Sequence, residues 1–178
     1  KEKQNSHLSL QDFKSEGYFK LIRNFRRYAW LLLYLLGAAP AVCRSFVASR
    51  DHHLSPVGTD THSLYQPNAT SLRMGDLGYQ SQAQSNLDVS YNSLEQYIGT
   101  LRAALAEPYQ SYADIGLKDE QGDYNQLNTH VLQIENEFYS PIRPKRTATE
   151  NETPLQALER HGVEYIEVRC LDVNPLIS

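Results

Sequence analysis

The sequence predicts an α/β (α+β) fold, in which an antiparallel sheet carries the functional site and helices pack behind it. Residues 12–36 and 92–106 repeat apolar side chains every three or four positions, as a helix with one buried face does. Residues 163–169 alternate with a period of two instead, which is typical of a strand. The chain has 178 residues, 40% of them apolar, and is long enough for one domain with a hydrophobic core.

The first predicted helix runs from Asp12 to Leu36. Gly37 is placed to end this helix, and Pro40 prevents its continuation. The apolar run over residues 28–42 raises the alternative of a membrane segment, but it is shorter than the roughly 20 residues that a span requires, and arginines flank it closely. A buried core helix is therefore the favoured interpretation, and no membrane partner is expected.

The middle of the chain is predicted to contain a long loop and two further helices. Residues 50–68 are rich in Ser, Thr, Pro, Gly and His, as irregular loops are. Their histidines are better explained as solvated loop residues than as metal ligands, because no cysteine or carboxylate stands at ligand spacing. A second helix is predicted from Asn92 to Ala106, ahead of Pro108, and a short one from Tyr109 to Ile115.

The last third of the chain is predicted to alternate strands, loops and one helix. Residues 131–138 mix β-branched and aromatic residues with polar ones, which predicts a strand. Pro141 and Pro144 are expected to break that strand into a rigid loop, and residues 147–153 are expected to form a polar loop. A short helix is predicted from Pro154 to His161, since proline suits the first turn of a helix.

Charge and cysteine content narrow the functional classes. The net charge of −4 gives no general attraction to nucleic acid or to an anionic membrane. The basic cluster of residues 143–146 could serve as a nucleic-acid patch, but no DNA- or RNA-binding motif accompanies it. Cys43 and Cys170 have neither CxxC nor metal-ligand spacing and are predicted to be reduced, buried thiols, which favours a cytoplasmic location.

Glu167 and Arg169 lie two residues apart on one face of the predicted strand. A carboxylate is a hard oxygen ligand that suits Mg²⁺, and a guanidinium fork suits phosphate. From the pattern alone, a cross-strand salt bridge on a solvated face is the commoner outcome. The chain contains no GxxxxGK[ST] loop and no GxGxxG motif, which excludes nucleotide binding through a P-loop or a Rossmann turn.

Four blocks of the sequence resemble, in the same order, the bacterial glutamate–cysteine ligases. They are Ala69–Arg73 continuing to Asp76–Tyr79, Gln84–Leu87, Val131–Tyr139 with its tail Pro141–Arg146, and Gly162–Pro175. Four ordered blocks are far more specific than any one of them. The ligases of this family are much longer, so residues 1–178 are expected to be a single fragment of the catalytic domain, inactive on its own.

The resemblance implies a glutamine-synthetase-like fold and specific roles for eight residues. The implied roles are a metal ligand, Glu167; a catalytic contact to the γ-phosphate, Arg169; further ATP contacts, Lys145 and Arg146; and a substrate pocket, Arg73, Tyr79, Asn136 and Tyr139. Mg²⁺ is the implied metal, with Mn²⁺ as the alternative. Without the family, a surface salt bridge explains Arg73 equally well. Tyr79 and Tyr139 are then better explained as core or interface residues, because the chain has 12 tyrosines.

The implied reaction is an ATP-dependent ligation. The γ-carboxylate of L-glutamate is activated as γ-glutamyl phosphate, and the amine of L-cysteine attacks it to give γ-glutamylcysteine, the first step of glutathione synthesis. The implied partners are thus the small molecules glutamate, cysteine and ATP, with no nucleic acid. Two alternatives stay open: a related ligase with another amine acceptor, and a folded but inactive fragment.

Overall fold

The computed structural model describes residues 8–78 and 81–174 of the chain. Helices and short antiparallel strands are mixed within these ranges, as the predicted α+β class requires. In chain order the elements are α1 (Leu10–Leu36), β1 (Ala41–Cys43), β2 (Ser55–Val57), β3 (Asp60–Tyr65), α2 (Leu94–Ala106), α3 (Gln110–Ile115), β4 (Ile142–Lys145), α4 (Pro154–His161) and β5 (Tyr165–Val168). Short 3₁₀ turns lie at Arg44–Val47, Leu72–Met74, Gln82–Gln84 and Glu135–Glu137.

The first half of α1 forms one wall of the core. The helix begins where the Ser9 hydroxyl accepts a hydrogen bond from the backbone N–H of Asp12 at 3.1 Å, which satisfies an amide of the first turn. One face is then buried at helical spacing through Ser15, Phe19, Ile22 and Ala29. The predicted helix over residues 12–36 is thereby confirmed.

The second half of α1 contradicts the prediction of a buried core helix. Trp30, Tyr34 and Leu35 each expose more than 60% of their surface. The buried residues of the helix extend only from Ser15 to Ala29, so the core stops short of this apolar end. No helix among the described residues combines the length and the hydrophobicity needed to cross a membrane.

A three-stranded antiparallel sheet follows α1, in the strand order β1–β3–β2. The prediction of an irregular loop over residues 50–68 was therefore wrong where β2 and β3 form a hairpin. Leu64 is the only residue of these two strands that is buried, and most of the others are exposed. The sequence therefore lacks the apolar alternation that indicates a strand with one buried face. Cys43 on β1 is exposed and Cys170 is buried, and neither forms a disulfide, so the predicted burial was wrong for Cys43.

Helices α2 and α4 complete the core against α1. Both predicted helices are confirmed, and α4 has the predicted bounds because strong local signals fix them: Thr153 and Gln156 form a reciprocal capping box, and Pro154 begins the first turn. The short helix α3 is confirmed as well. The apolar side chains that meet in the centre are Phe19, Ile22, Tyr97, Ile98, Leu101, Leu132, Ile142, Leu155, Leu158 and Val163.

Residues 131–138 are not the predicted strand. The backbone N–H of Val131 donates to the carbonyl of Glu107 at 2.8 Å, and that of Leu132 donates to Ala104 at 3.0 Å. These amides therefore satisfy carbonyls at the end of α2 rather than a neighbouring strand. Consecutive burial of Val131 and Leu132 also differs from strand alternation, and the segment ends in the 3₁₀ turn Glu135–Glu137.

Strands β4 and β5 form a two-stranded antiparallel ribbon. The predicted strand over residues 163–169 is confirmed in its centre as β5, but the rigid loop predicted around Pro144 was wrong, because β4 includes this proline. Proline is tolerated in an edge strand, where a backbone N–H is not needed for the ladder. The register places Arg143 directly opposite Glu167 and Pro144 opposite Ile166.

Gly162 joins α4 and β5 in close contact with α1. Its φ of +67° lies in the left-handed region that favours glycine. A Cβ at this position would also collide with the side chains of Gln11 and Ser15. The Ser15 hydroxyl accepts a hydrogen bond from the backbone N–H of Val163 at 3.0 Å, so the start of the ribbon is fixed to the helix. Residues 147–153, ahead of α4, contain a turn and neither helix nor strand.

Candidate functional site

Most of the predicted substrate residues line two neighbouring cavities. The first has a volume of about 400 Å³ and is lined in part by Arg73. The second has a volume of about 300 Å³ and is lined in part by Asn136 and Arg169. Tyr139 lines both cavities, as do Ser81 and Gln84, so the two spaces share one wall.

Tyr139 is the centre of that shared wall. Its backbone N–H donates to the side-chain oxygen of Gln84 at 3.3 Å, and its hydroxyl donates to the sulfur of Met74 at 3.1 Å. The Arg169 guanidinium lies over the Tyr139 ring, 5.1 Å from the ring centroid, where the negative face of the ring attracts a cation. The arrangement places a fixed positive charge beside an aromatic pocket wall.

Arg73 fixes the segment that follows β5. Its Nε donates to Asp172 at 2.8 Å, and its two terminal nitrogens donate to the carbonyls of Arg169 at 3.3 Å and Leu171 at 3.0 Å. Arg73 thereby has a structural role, and the salt bridge that was the alternative to a substrate contact is present, although the side chain of its partner Asp172 is buried. It still borders the first cavity with about a quarter of its side chain exposed.

Asp172 is the buried partner in this network. Burial raises the pKa of its carboxyl, but a hydrogen bond from the backbone N–H of Ala38 at 3.0 Å and the Arg73 contact outweigh burial. The pKa of Asp172 therefore lies below its ordinary value, and the group is ionised at neutral pH.

Glu167 pairs with Arg143 across the ribbon. Nε and Nη2 of Arg143 donate to the same carboxylate oxygen, Oε2, at 3.0 and 2.6 Å. Partial burial raises the pKa of Glu167, but the hydrogen bonds and charge of Arg143, with further contributions from Lys145 and Arg169, lower it below its ordinary value. The cross-strand salt bridge is thus present, and Glu167 carries its negative charge among three cations.

Glu167 supplies one ligand position and no complete metal centre. Within residues 8–78 and 81–174, no group of three histidine, cysteine, aspartate or glutamate side chains could hold a metal ion. Among these residues no hydrogen bond ends on Oε1 of Glu167, and the side chain is 37% exposed. A carboxylate oxygen of this kind fits one position of an Mg²⁺ coordination shell.

The other two predicted ATP contacts lie outside the paired cavities. Lys145 borders a small cleft together with Asn136 and Arg143, and burial and the charge of Arg143 lower its pKa. Arg146 donates to the carbonyl of Gly162 at 3.2 Å, at the end of α4. Lys145 lies near the second cavity, because Asn136 borders both that cavity and the cleft of Lys145. Arg146 instead stabilises the connection between α4 and β5.

Tyr79, the remaining predicted pocket residue, lies outside the described residues. The segment before it is held by Arg50, which donates to the carbonyls of Leu77 and Gly78 at 2.8 Å each. Arg50 also lines the second cavity.

Sequence reasoning missed several residues that shape the cavities. Arg26 on α1 lies 4.4 Å from the ring centroid of Tyr91 and lines the first cavity. Gln84 bonds to Tyr139 and donates to the carbonyl of Glu137 at 3.2 Å. Gln84 could have been identified as a candidate, because it belongs to one of the blocks that resemble the family. Nothing in the local sequence distinguishes Arg26 from the other arginines of its helix.

Comparison with known proteins gives a consistent result over the whole chain. The family model for glutamate-cysteine ligase matches residues 1–178. The chain is 62% identical to the glutamate–cysteine ligase of Saccharophagus degradans over 170 residues, covering 96% of this chain and 32% of that protein. It is 58% identical to that of Hahella chejuensis, covering 93% and 31%. The chain thus spans about a third of the length of these relatives.

Solved structures show the same likeness. A crystal structure of glutamate–cysteine ligase from Francisella tularensis in complex with AMP matches with a TM-score of 0.83 and 43% identity, covering 96% of this chain and 33% of that one. A bifunctional glutathione synthetase from Pasteurella multocida matches with a TM-score of 0.57 and 24% identity, which concerns the fold alone. The match of the family model over all 178 residues shows that this chain belongs to the glutamate–cysteine ligase family.

Proposed function

We propose that the enzyme containing this chain joins L-glutamate to L-cysteine at the expense of ATP. The observation that carries the proposal is the meeting of Arg73, Tyr139 and Arg169 around two adjoining cavities in a chain of this family. The Francisella tularensis relative was crystallised with AMP, which supports an adenine nucleotide as a reactant here. The compartment is proposed to be the cytoplasm.

The proposed reaction has two bond exchanges. A γ-carboxylate oxygen of glutamate attacks the γ-phosphorus of ATP, and the bond from that phosphorus to ADP breaks. The cysteine nitrogen then attacks the γ-carbonyl carbon, the carbon–oxygen bond to phosphate breaks, and the amine loses a proton. The products are γ-glutamylcysteine, ADP and phosphate.

Arg169 is proposed to stabilise the phosphoryl group during its transfer. A guanidinium presents several donors in one plane, which suits the equatorial oxygens of a phosphoryl group. Its position over the Tyr139 ring holds the charge in place before substrate arrives, so little reorganisation is needed during reaction. Lys145 and Arg146 are proposed to contact the nucleotide as well.

The first cavity is proposed to hold the acceptor amino acid. Arg73 borders it with a cation that suits a carboxylate, and Tyr139 offers a ring face to a thiol-bearing side chain. Asn136 borders the second cavity, on the other side of the wall that contains Tyr139, and it and Tyr79 are proposed as further substrate contacts. The acceptor cavity and the cavity beside Arg169 then share the wall formed by Ser81, Gln84 and Tyr139.

Glu167 is proposed to contribute one ligand to Mg²⁺, or alternatively Mn²⁺. A bound divalent ion neutralises charge on the triphosphate. Because the described residues contain no group of three side chains that could hold a metal ion, further ligands are proposed to come from phosphate oxygens and from parts of the enzyme outside this chain. We expect no turnover by the isolated chain for the same reason.

The test is release of ADP by the complete enzyme with Mg²⁺, ATP, glutamate and a panel of amine acceptors. Release that requires glutamate and is fastest with cysteine supports the proposal. A different fastest acceptor contradicts the assignment of the acceptor while leaving the ligase chemistry intact. Absence of glutamate-dependent release contradicts the proposed function.

A further inference from the structure

Arg143 is a buried cation whose donors are directed to two parts of the site. It exposes 7% of its surface. Burying a guanidinium is costly unless its donors are satisfied. Here Nε and Nη2 bond to Glu167, and Nη1 donates to the backbone carbonyls of Phe138 at 2.9 Å and Asn136 at 3.4 Å.

These contacts join the proposed metal residue to the proposed acceptor wall. Glu167 lies on β5, whereas Asn136 and Phe138 belong to the segment that leads directly into Tyr139. Among the described residues the hydrogen bonds to the Glu167 carboxylate all end on Oε2. The carboxylate is therefore held through one oxygen, and Oε1 is oriented by the same contact.

We propose that Arg143 is a positioning residue, which sets Oε1 of Glu167 for a divalent cation and fixes Asn136–Tyr139 as the acceptor wall without touching either substrate. This inference rests on the proposed function. Lysine cannot replace it, because a single ammonium cannot reach one carboxylate and two carbonyls in the fork geometry of arginine. Loss of Arg143 accordingly affects metal and acceptor together, although the two are bound by different residues.

The experiment uses Arg143→Lys and Arg143→Gln in the complete enzyme. Arg102 provides a matched control, because it forms a 2.7 Å ion pair with Glu159 on the exposed surface. For each protein, ADP release is measured against Mg²⁺ at saturating substrates and against cysteine at saturating Mg²⁺. Binding of Mn²⁺ in the absence of substrates is followed by electron paramagnetic resonance, as a readout that does not depend on turnover, and thermal midpoints are recorded in parallel.

We expect the Arg143 variants to need about 10-fold or more Mg²⁺ for half-maximal rate and about 10-fold or more Mn²⁺ for half-saturation in the binding measurement, because loss of a contact that orients a metal ligand typically weakens metal affinity by this amount. The KM for cysteine should rise in the same variants, and Arg102→Lys and Arg102→Gln should change none of these quantities. Arg143→Lys with unchanged Mg²⁺ dependence and unchanged KM overturns the inference, whatever its thermal midpoint.

A second variant covers the case in which the Arg143 variants fail to fold. Glu167→Asp shortens the partner by one methylene and loosens Arg143 without removing it. The KM for cysteine should then rise, although Glu167 does not line the acceptor cavity, and an unchanged KM overturns the inference. A wild-type enzyme without glutamate-dependent release would instead refute the proposed function, and the positioning role with it.

Discussion

Two arginine–glutamate pairs of nearly equal length occur in different regions of this molecule. Arg143 and Glu167 are 2.6 Å apart on the β4–β5 ribbon, and their side chains are 8% and 37% exposed. Arg102 and Glu159 are 2.7 Å apart on α2 and α4, with 55% and 49% exposed. A short distance is therefore no sign of importance by itself.

The difference lies in what surrounds each pair. Arg143 also bonds to two backbone carbonyls, and its partner is close to Lys145 and Arg169. Arg102 bonds to Glu159 alone among the described residues, and solvent weakens an exposed pair of this kind. Burial and shared partners thus distinguish the pair at the proposed site from the pair on the surface.

The largest expected difference between the two pairs comes from removing the negative charge of Glu167. Glu167→Gln keeps the shape but removes the charge, so we expect kcat of the complete enzyme to fall about 10²-fold or more, as loss of an electrostatic contact in a transition state does. Steady-state ADP release measures it. The control is Glu159→Gln, which should retain the wild-type rate, and an active Glu167→Gln enzyme would remove Glu167 from the proposed site.

Asp172→Asn tests the second buried pair through stability. Removing the charge leaves Arg73 and the Ala38 N–H with a weaker acceptor, so we expect the free energy of unfolding to fall by about 1–3 kcal/mol at neutral pH. Because folding lowers the pKa of Asp172, its contribution is present above the unfolded value of about 3.9 and is lost as pH falls through the lower folded value.

Thermal unfolding across the acid range measures this effect. The gap between wild type and Asp172→Asn should be widest near neutral pH and close in acid. Asp51→Asn, at an exposed position, is the control and should follow the wild type throughout. A gap that stays constant with pH would contradict an electrostatic role.

Tyr139→Leu should have a smaller effect on catalysis. It removes the ring beneath Arg169, and we expect kcat/KM for cysteine to fall about 10-fold, equivalent to about 1.4 kcal/mol and within the range of a half-buried cation–π contact. Tyr139→Phe keeps the ring and should lose much less. Equal losses in the two variants would assign the effect to the hydroxyl instead.

Arg102→Ala is expected to have the smallest effect. The exposed pair on α2 and α4 touches neither cavity, so kcat, KM and the thermal midpoint should all stay at wild-type values. Steady-state assays and calorimetry on the complete enzyme measure these quantities. A large loss of activity would remove the distinction between the two pairs.

Local signals explain which parts of the fold the sequence could predict. Helix α4 was predicted with its bounds because Pro154 and the capping residues act within one turn. The segment 131–138 was mistaken for a strand because its amides bond to carbonyls at the end of α2, more than 20 residues away in sequence. The exposure of the end of α1 was missed because apolar periodicity identifies the face of a helix that can be buried, but does not show how far along the helix the core extends.

The residues of the candidate site also divide into those that the sequence could predict and those that it could not. Arg73, Tyr139 and Arg169 were identified through blocks resembling a known family, and the structure brings all three to the same pair of cavities. Arg143 was seen only as part of a basic cluster, because its partner is set by the β4–β5 register, which composition does not specify. Pairing across strands, rather than residue type, was the missing information.

The most direct test of the central claim is the turnover of Arg169→Ala and Arg169→Lys in the complete enzyme with ATP, glutamate and cysteine. If Arg169 stabilises the transferring phosphoryl group beside the Tyr139 wall, kcat should fall about 10²-fold or more in Arg169→Ala, with partial recovery in Arg169→Lys. Near-wild-type turnover by Arg169→Ala would contradict the claim.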